Sequence, residues 1–495
     1  MSGHFGKQAA ALWVVLFTTV GFLQVWAAEE GEFVKKGGRW QYLPTEDPGL
    51  RYLLEKGLIT QEEYDKGARI LETRQRARDP GYSVSWGNGL NIKVGEKFFL
   101  KLRTQLQLRY THHEYNQAWR LIGDSNNFSA QPDRQNESSA STFGARYIRL
   151  QFLGYAFDPD LRYNLTLAAD QQEGNLNGTG NVSLLDASVT SWHIPYATVQ
   201  VGQYRTWFNR EQITSVATLS FVDRNIVAEA FTANTLNRRD IGIAILSDES
   251  KYRFNYAIGV YNGAGINTDR LGAPVSQGGA NTRFNANELM YVARLLWNVS
   301  GRPGYGEGDI LYSRVPQVAI AGGYAYNPGV NLVDPTTPIR NQILATGNGR
   351  LLGAGFIDFQ TWEVDVIAKY RGWALQAEGF IRQQSVRGGN SELGNATGWY
   401  VQLGKYVIPR KMEVALRYGV MDPNVKQTDD LIKEAGVAVS YSFDGTYNHR
   451  MVMDYGHITM GTGGYAAGRA TLAAAPGFGR DLLENRFRVM YQFYW

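Results

Sequence analysis

Asn485–Trp495 reads N-R-F-R-V-M-Y-Q-F-Y-W. Phe487, Val489, Tyr491, Phe493 and Trp495 hold every second position, with Arg486, Arg488 and Gln492 between them. A period of two marks a strand with one apolar and one polar face. A soluble domain can end on such a strand by pairing it in a sheet. A transmembrane β-barrel has a further reason to, because its last strand closes the sheet and its aromatics sit at the membrane interface. The rest of the chain decides between the two.

The same alternation recurs upstream. Lys101, Arg103, Gln105, Gln107 and Arg109 interleave with Leu100, Leu102, Thr104, Leu106, Leu108 and Tyr110, long for a globular strand and suited to a tilted membrane strand. Ile148, Leu150 and Phe152 flank Arg149 and Gln151. Trp362, Val364 and Val366 flank Glu363 and Asp365, and Met412, Val414 and Leu416 flank Glu413. Such runs predict about sixteen strands, an even number. The connections alternate in length. Long ones fall near 111–144, 171–183, 205–239, 262–286, 327–358, 383–397, 421–433 and 461–484, and short ones include Asp158-Pro159-Asp160, Pro195-Tyr196 and Arg371-Gly372. Ser300–Pro316 is intermediate and breaks the contrast. Sorting of loops by parity is how outer-membrane barrels are built, whereas sandwiches and propellers need not sort theirs. The fold class read here is all-β, a transmembrane antiparallel barrel of about sixteen strands with a short N-terminal helical periplasmic segment. Lipid takes the apolar face, so the charged face lines a wet lumen.

Bulk composition agrees. Aromatics make up 13% of the 495 residues, which favours a β-rich chain, and the absence of cysteine excludes disulfides, thiolate catalysis and cysteine-ligated metals. A net charge of +4 is too small to argue for a nucleic-acid partner. His4 and Lys7 precede an apolar run, Ala9–Leu23, and Val25-Trp26-Ala27 suits cleavage after Ala27. Residues 1–27 are therefore read as a secretory signal peptide, with an N-terminal anchor as the alternative. Residues 28–84 form a periplasmic helical arm, in which Gly57 stops one helix and Thr60 and Glu63 form a capping box that starts another. Residues 85–495 form the barrel, placed in the outer membrane with membrane lipid around it.

Gly202-Gln203-Tyr204-Arg205-Thr206-Trp207-Phe208-Asn209-Arg210-Glu211 resembles the Gly-Gln-x-Lys-x-Pro-x-x-x-Glu segment of the phosphate-selective porin O and P family. Arg205 matches its basic position and Glu211 its acid, while Trp207 stands where the family has proline. Asp223-Arg224 and Arg239-Asp240-Ile241-Gly242 fit later motifs, and Phe157–Tyr163 resembles its first tight turn. The resemblance covers roughly 84–495. It implies a trimeric, sixteen-stranded outer-membrane porin whose third long loop narrows the pore, and in several members anion selectivity in which arginines guide phosphate.

A pore does its chemistry by selection, and anions are selected by Arg and Lys in a narrow low-dielectric passage. The pore-lining candidates are Lys101, Arg103, Arg109 and Arg149 on the walls, and Arg205, Arg210, Arg224, Arg238 and Arg239 on the third long loop. Each has a structural reading as well. A lumen Arg often pairs with a carboxylate to hold a loop, and Glu211, Asp223, Glu229 and Asp240 are available. Glu363, Asp365, Glu378 and Glu413 on later strands imply a transverse field that would weaken selection by one sign of charge. The permeant partners expected are inorganic phosphate or other small anions, with no cofactor or metal, and His112-His113 read as solvated loop residues. Two other functions stay open. One is a structural or docking barrel for a periplasmic or surface partner, motivated by the arm Leu50–Arg78, with a weakly selective general porin beside it. The other is a rim hydrolase using Ser191 and His193, which lacks an evident third group.

Overall fold

The computed structural model describes residues 31–36, 39–44, 52–54, 56–67, 82–115, 139–169, 182–232, 238–263, 288–331, 356–386, 394–426, 428–461 and 482–495. The signal segment 1–27, the basic stretch Arg74–Arg78 and most long-loop tips lie outside these residues. Two compact units divide the chain, Met1–Leu100 and Lys101–Trp495.

In the first unit the capping box forms. The Thr60 N–H donates to Glu63 Oε2 at 2.8 Å and the Glu63 N–H donates to Thr60 Oγ1 at 3.3 Å, and residues 61–67 are helical behind it. Gly57 has φ +67, the left-handed conformation that stops the preceding turn. The arm is not helical throughout. Strand β1 (Gly31–Lys36) pairs with β2 (Arg39–Pro44), and β3 (Tyr82–Trp86) pairs with β4 (Leu90–Val94). The second hairpin turns at Asn88-Gly89, both at positive φ, a strong short-range hairpin signal that a helix-directed reading passes over.

The second unit is the barrel. Its strands are β5 (Phe98–Tyr115), β6 (Ser139–Ala156), β7 (Leu161–Ala168), β8 (Ser183–Ser191), β9 (Thr198–Arg205), β10 (Arg239–Leu246), β11 (Phe254–Tyr261) and β12 (Met290–Ser300). They continue as β13 (Gln317–Asn331), β14 (Phe356–Tyr370), β15 (Trp373–Val386), β16 (Ala396–Ile408), β17 (Met412–Asp422), β18 (Ile432–Ser442), β19 (His449–Met460) and β20 (Leu482–Tyr494). Consecutive strands are sheet neighbours and β20 returns to pair antiparallel with β5, from Glu484 opposite Tyr115 to Tyr494 opposite Gln105. The seam ends where Thr104 N–H donates to the Trp495 carbonyl at 2.7 Å and Trp495 N–H donates back at 3.1 Å. Lys101 and Arg103 thus lie beyond the end of the last strand. Because β5 runs to Tyr115, His112 and His113 are strand residues rather than loop residues.

The alternation resolves as lipid demands. Trp362 and Val364 are exposed while Glu363 and Asp365 between them are buried, and Phe487, Tyr491 and Phe493 are exposed while Arg486, Arg488 and Gln492 are buried. Outward aromatic pairs sit toward both ends, Trp399 with Tyr418 near the long loops and Phe254 with Trp297 near the short turns. The wall is uneven in height. Strands β7 to β11 have 8 or 9 residues, whereas β13 to β15 have 14 or 15.

Candidate functional site

The loop after β9, described over residues 206–232, folds into the lumen and crosses it. It carries Phe208, Val216, Leu219, Phe221, Val222, Ile226, Val227 and Phe231, all buried. These apolar side chains have no lipid to face, so they are removed from water only by packing against the inner wall. Helical turns at Arg210–Ile213 and Ile226–Ala230 shape the loop. The second is capped by the Asn225 side chain, which accepts from Val227 N–H at 2.8 Å. Phe231 stacks on Phe380 of β15 at 5.2 Å between centroids. Two strand glycines admit the loop. A Cβ at Gly398 would stand 2.7 Å from Val227, and one at Gly323 would stand 2.6 Å from the Phe208 carbonyl.

Polar anchors complete the seat. Glu434 accepts from Asn225 Nδ2 at 2.9 Å and Ile226 N–H at 3.1 Å, while Arg417 donates to its other oxygen at 2.9 Å. Glu378 accepts from Asn209 Nδ2 at 2.8 Å and Glu211 N–H at 2.7 Å. Asp454 accepts from Val222 N–H at 3.0 Å, and Glu413 accepts from the Ser220 hydroxyl at 3.0 Å. On the seam side, Asp223 is bound by Arg488 at 2.6 Å, Arg109 at 2.7 Å and Arg146 at 3.3 Å. Burial opposes ionisation of this loop carboxyl, but the guanidiniums of Arg146, Arg109 and Arg488 hold it well below its ordinary range.

The intermediate connection, residues 301–316, turns inward from the short-turn end and meets the loop. Glu307 accepts from Ser220 N–H and from Gln402 Nε2, each at 2.7 Å. The Tyr305 carbonyl accepts from the Thr214 hydroxyl at 2.9 Å, and the Gly304 carbonyl accepts from Arg210 Nη1 at 2.8 Å. A connection too long for a tight turn is thus a second inward element.

The nine basic candidates separate by what they touch. Arg210 binds Asp365 at 3.0 Å and is fully buried. Arg239 binds Asp186 at 2.7 Å, Arg238 binds Glu229, and Arg109 shares Asp223. Arg224 donates to the Glu211 carbonyl at 2.8 Å and to the Thr214 carbonyl at 2.5 Å, so it braces the loop from within. Arg205 donates to the Ile213 and Thr214 carbonyls at 2.8 and 2.5 Å. Arg103 stacks 3.9 Å above the Tyr494 ring and Arg149 stacks 4.2 Å from the Tyr147 ring. Lys101 shares the lumen face of β5 with Arg103, two residues away. Lys101 and Arg103 of β5 and Arg205 of β9 are only partly buried, whereas Arg149 of β6 is buried behind them.

The charged row is not wet all round, as the sequence suggested. Along β14 to β20 its acids are buried beneath the inward loop and bound to it or to neighbouring arginines. Arg294 of β12, for example, binds Glu363 at 3.1 Å and also Asp365. Sequence reasoning missed Arg294, Arg417, Arg450 and Arg488 as loop anchors. Their positions on lumen faces were legible, but their loop partners, more than 80 residues away, were not. The rim pair also needs correction. Ser191 Oγ lies 2.9 Å from His193 Nδ1, and His193 Nε2 lies 3.2 Å from Asp158, so a third group is present. The His193 and Asp158 side chains keep 50% and 42% of their surface in solvent, where such a chain ties two short turns together without the dry setting that activates a serine.

A closed sixteen-strand antiparallel barrel with an apolar outside and a loop across its charged lumen is an outer-membrane porin. The chain belongs to the phosphate-selective porin O and P family, whose model matches residues 118–459. Among curated proteins none matches it. Similar solved structures include an anion-selective porin from Comamonas acidovorans, at TM-score 0.49 and 9% identity over 80% of this chain and 100% of that one. OmpT of Vibrio cholerae aligns at TM-score 0.47 and 11% identity over 80% and 98%. Salmonella typhi OmpF in complex with daunomycin aligns at 0.46 and 12% over 80% and 98%.

Proposed function

We propose that this porin passes small anions by diffusion, with inorganic phosphate as the leading permeant. The observation that carries the reading is the basic wall formed by Arg103 stacked on Tyr494, Arg149 stacked on Tyr147 and Arg205 at the base of the inward loop, with Lys101 on the same face of β5 as Arg103. Guanidiniums suit a phosphate because their planar fork matches two oxyanion oxygens at once. The acids that argued for a transverse field, Glu363, Asp365, Glu378 and Glu413, are buried against loop or wall partners, which favours a passage governed by the basic wall. Planar-bilayer recordings under a potassium chloride gradient test this. The reversal potential should have the anion sign, and millimolar phosphate should block chloride current. A cation-signed potential would remove the anion reading and leave the porin standing.

The same reading takes the chain to be a homotrimer, exported after cleavage behind Ala27, with the arm 28–84 in the periplasm. Strands of 8 or 9 residues in β7 to β11 stand at or just below the short end of the roughly 9–11 that a tilted membrane strand needs. That low arc is suited to cover by other subunits, and the tall arc to lipid. Intact mass of the purified protein reads the cleavage, and crosslinking from β7 to β11 reads the trimer.

A further inference from the structure

The short-turn end of the tall arc carries basic groups on its outer side. Arg302, Arg314, Arg371 and Arg410 are exposed there, and Lys405 and Lys411 are partly exposed. Among the acids of the same connections, Glu307 and Asp309 are turned into the protein. Asp309 is spent on Ser313 N–H at 2.9 Å and Gly372 N–H at 2.8 Å, and Asp444 bonds Thr446. The low arc has the opposite balance, with Asp158, Asp160, Asp248 and Glu249 in its short connections against Lys251 and Arg253.

One place in the basic arc has the form of a binding site. Lys405 lies on the outer face of β16, opposite Trp373 in register. Its ammonium stands 5.0 Å from the Trp373 ring and 5.3 Å from the Tyr312 ring, and donates to the Arg371 carbonyl at 2.7 Å. The support is stiff. Arg371 N–H donates to the Ser313 carbonyl at 2.9 Å, and Gly372, at φ +81, lets the Tyr312 ring come so close that a Cβ would stand 2.6 Å from it. The Arg371 guanidinium lies 5.1 Å from the Tyr370 ring. Beside these cations the surface is apolar. Leu311 is 79% exposed and Val315 60%, both outside the strands, and Val407 and Ile408 continue along the wall.

We propose that Arg371 and Lys405, framed by Trp373 and Tyr312, bind the headgroup of an anionic phospholipid in the leaflet facing the periplasm. The cations meet the phosphodiester at the depth where interfacial aromatics sit, and the acyl chains lie on Leu311, Val315, Val407 and Ile408. A free phosphate would use the cations and leave this apolar surface exposed. The apolar surface together with the charge therefore favours the lipid.

Native mass spectrometry of the full-length protein in detergent tests this, with phosphatidylglycerol and phosphatidylcholine titrated separately. Phosphatidylglycerol should be retained in preference, and Arg371→Gln with Lys405→Gln should lower its affinity by roughly fivefold per cation removed. Arg314→Gln, an exposed change that disturbs no strand, gives a second and smaller loss if the double variant folds poorly. Bilayer conductance of each variant should match the unaltered protein, because the site lies outside the pore. Equal retention of the two lipids, or undiminished phosphatidylglycerol binding in a folded double variant, would overturn the proposal. Displacement of the lipid by millimolar inorganic phosphate would also overturn it, by assigning the site to a free anion.

Discussion

Asp223 holds three arginines from both sides of the barrel seam, and the charge of the loop tip depends on it. Its carboxyl is held below its usual range, so this tie contributes stability above about pH 4 and loses it only as pH falls through the lowered value. Asp223→Asn should leave Arg109, Arg146 and Arg488 facing one another and cost about 3 kcal/mol, the low end for a broken buried pair. Thermal unfolding in detergent would read the loss, and noisier, more anion-selective bilayer currents would read the loosened loop. An unchanged melting curve would show that the three arginines have other counter-charges. Arg103→Glu and Arg149→Glu belong to the same scale and should move the reversal potential toward cations. No movement would remove that side chain from the selective wall. The sequence exposed these groups unequally. Alternation alone was enough to put Lys101, Arg103, Arg109 and Arg149 on the lumen face. Whether a lumen arginine meets solvent, a ring or a carboxylate depends on a loop whose path has no sequence period, so Arg103 and Arg109 look alike in the sequence and have different surroundings in the fold.

At the scale of elements, two inward segments brace each other. Glu307 joins residues 301–316 to the loop tip and to β16. Glu307→Ala should leave the Ser220 N–H and the Gln402 amide without that acceptor, at a cost of about 1–3 kcal/mol, and should raise single-channel conductance. A fall in stability with conductance unchanged would mean that the segment supports the wall without narrowing the passage. Gly398→Val should crowd Val227 and Phe231, cost about 1–3 kcal/mol and shift the loop, with conductance again the readout. Strands were the legible elements because lipid on one side and a polar lumen on the other impose a strict period of two. The inward loop left a fainter trace in Phe208, Phe221 and Phe231, apolar residues in a segment between strands, and in the strand glycines Gly323 and Gly398 that face it. The length of 301–316 is legible in the sequence but its direction is not, since length alone does not say which way a connection turns.

For the whole barrel, the closing seam is the decisive contact. Removing Phe493–Trp495 deletes the ladder to Gln105 and Leu106 and the terminal bonds to Thr104, and should abolish assembly, read as loss of the heat-modifiable folded band on gels. A folded barrel after that deletion would count heavily against β20 as the closing strand. The loop's anchors add a condition of timing. Gln107 and Gln492 both donate to the loop, to the Val216 and Ala217 carbonyls, and they face each other only across the seam. Arg109 and Arg488 meet on Asp223 in the same way, although Arg488 is 265 residues from it along the chain. In a nascent barrel with its seam open, the loop has only part of its seat. Full docking of the loop therefore belongs to the last step of folding, a step of very high contact order and so expected to be slow. A barrel stalled before that step would hold unmatched arginines around an unfilled lumen, so the leakiest state of this protein should be a folding intermediate and not the native channel.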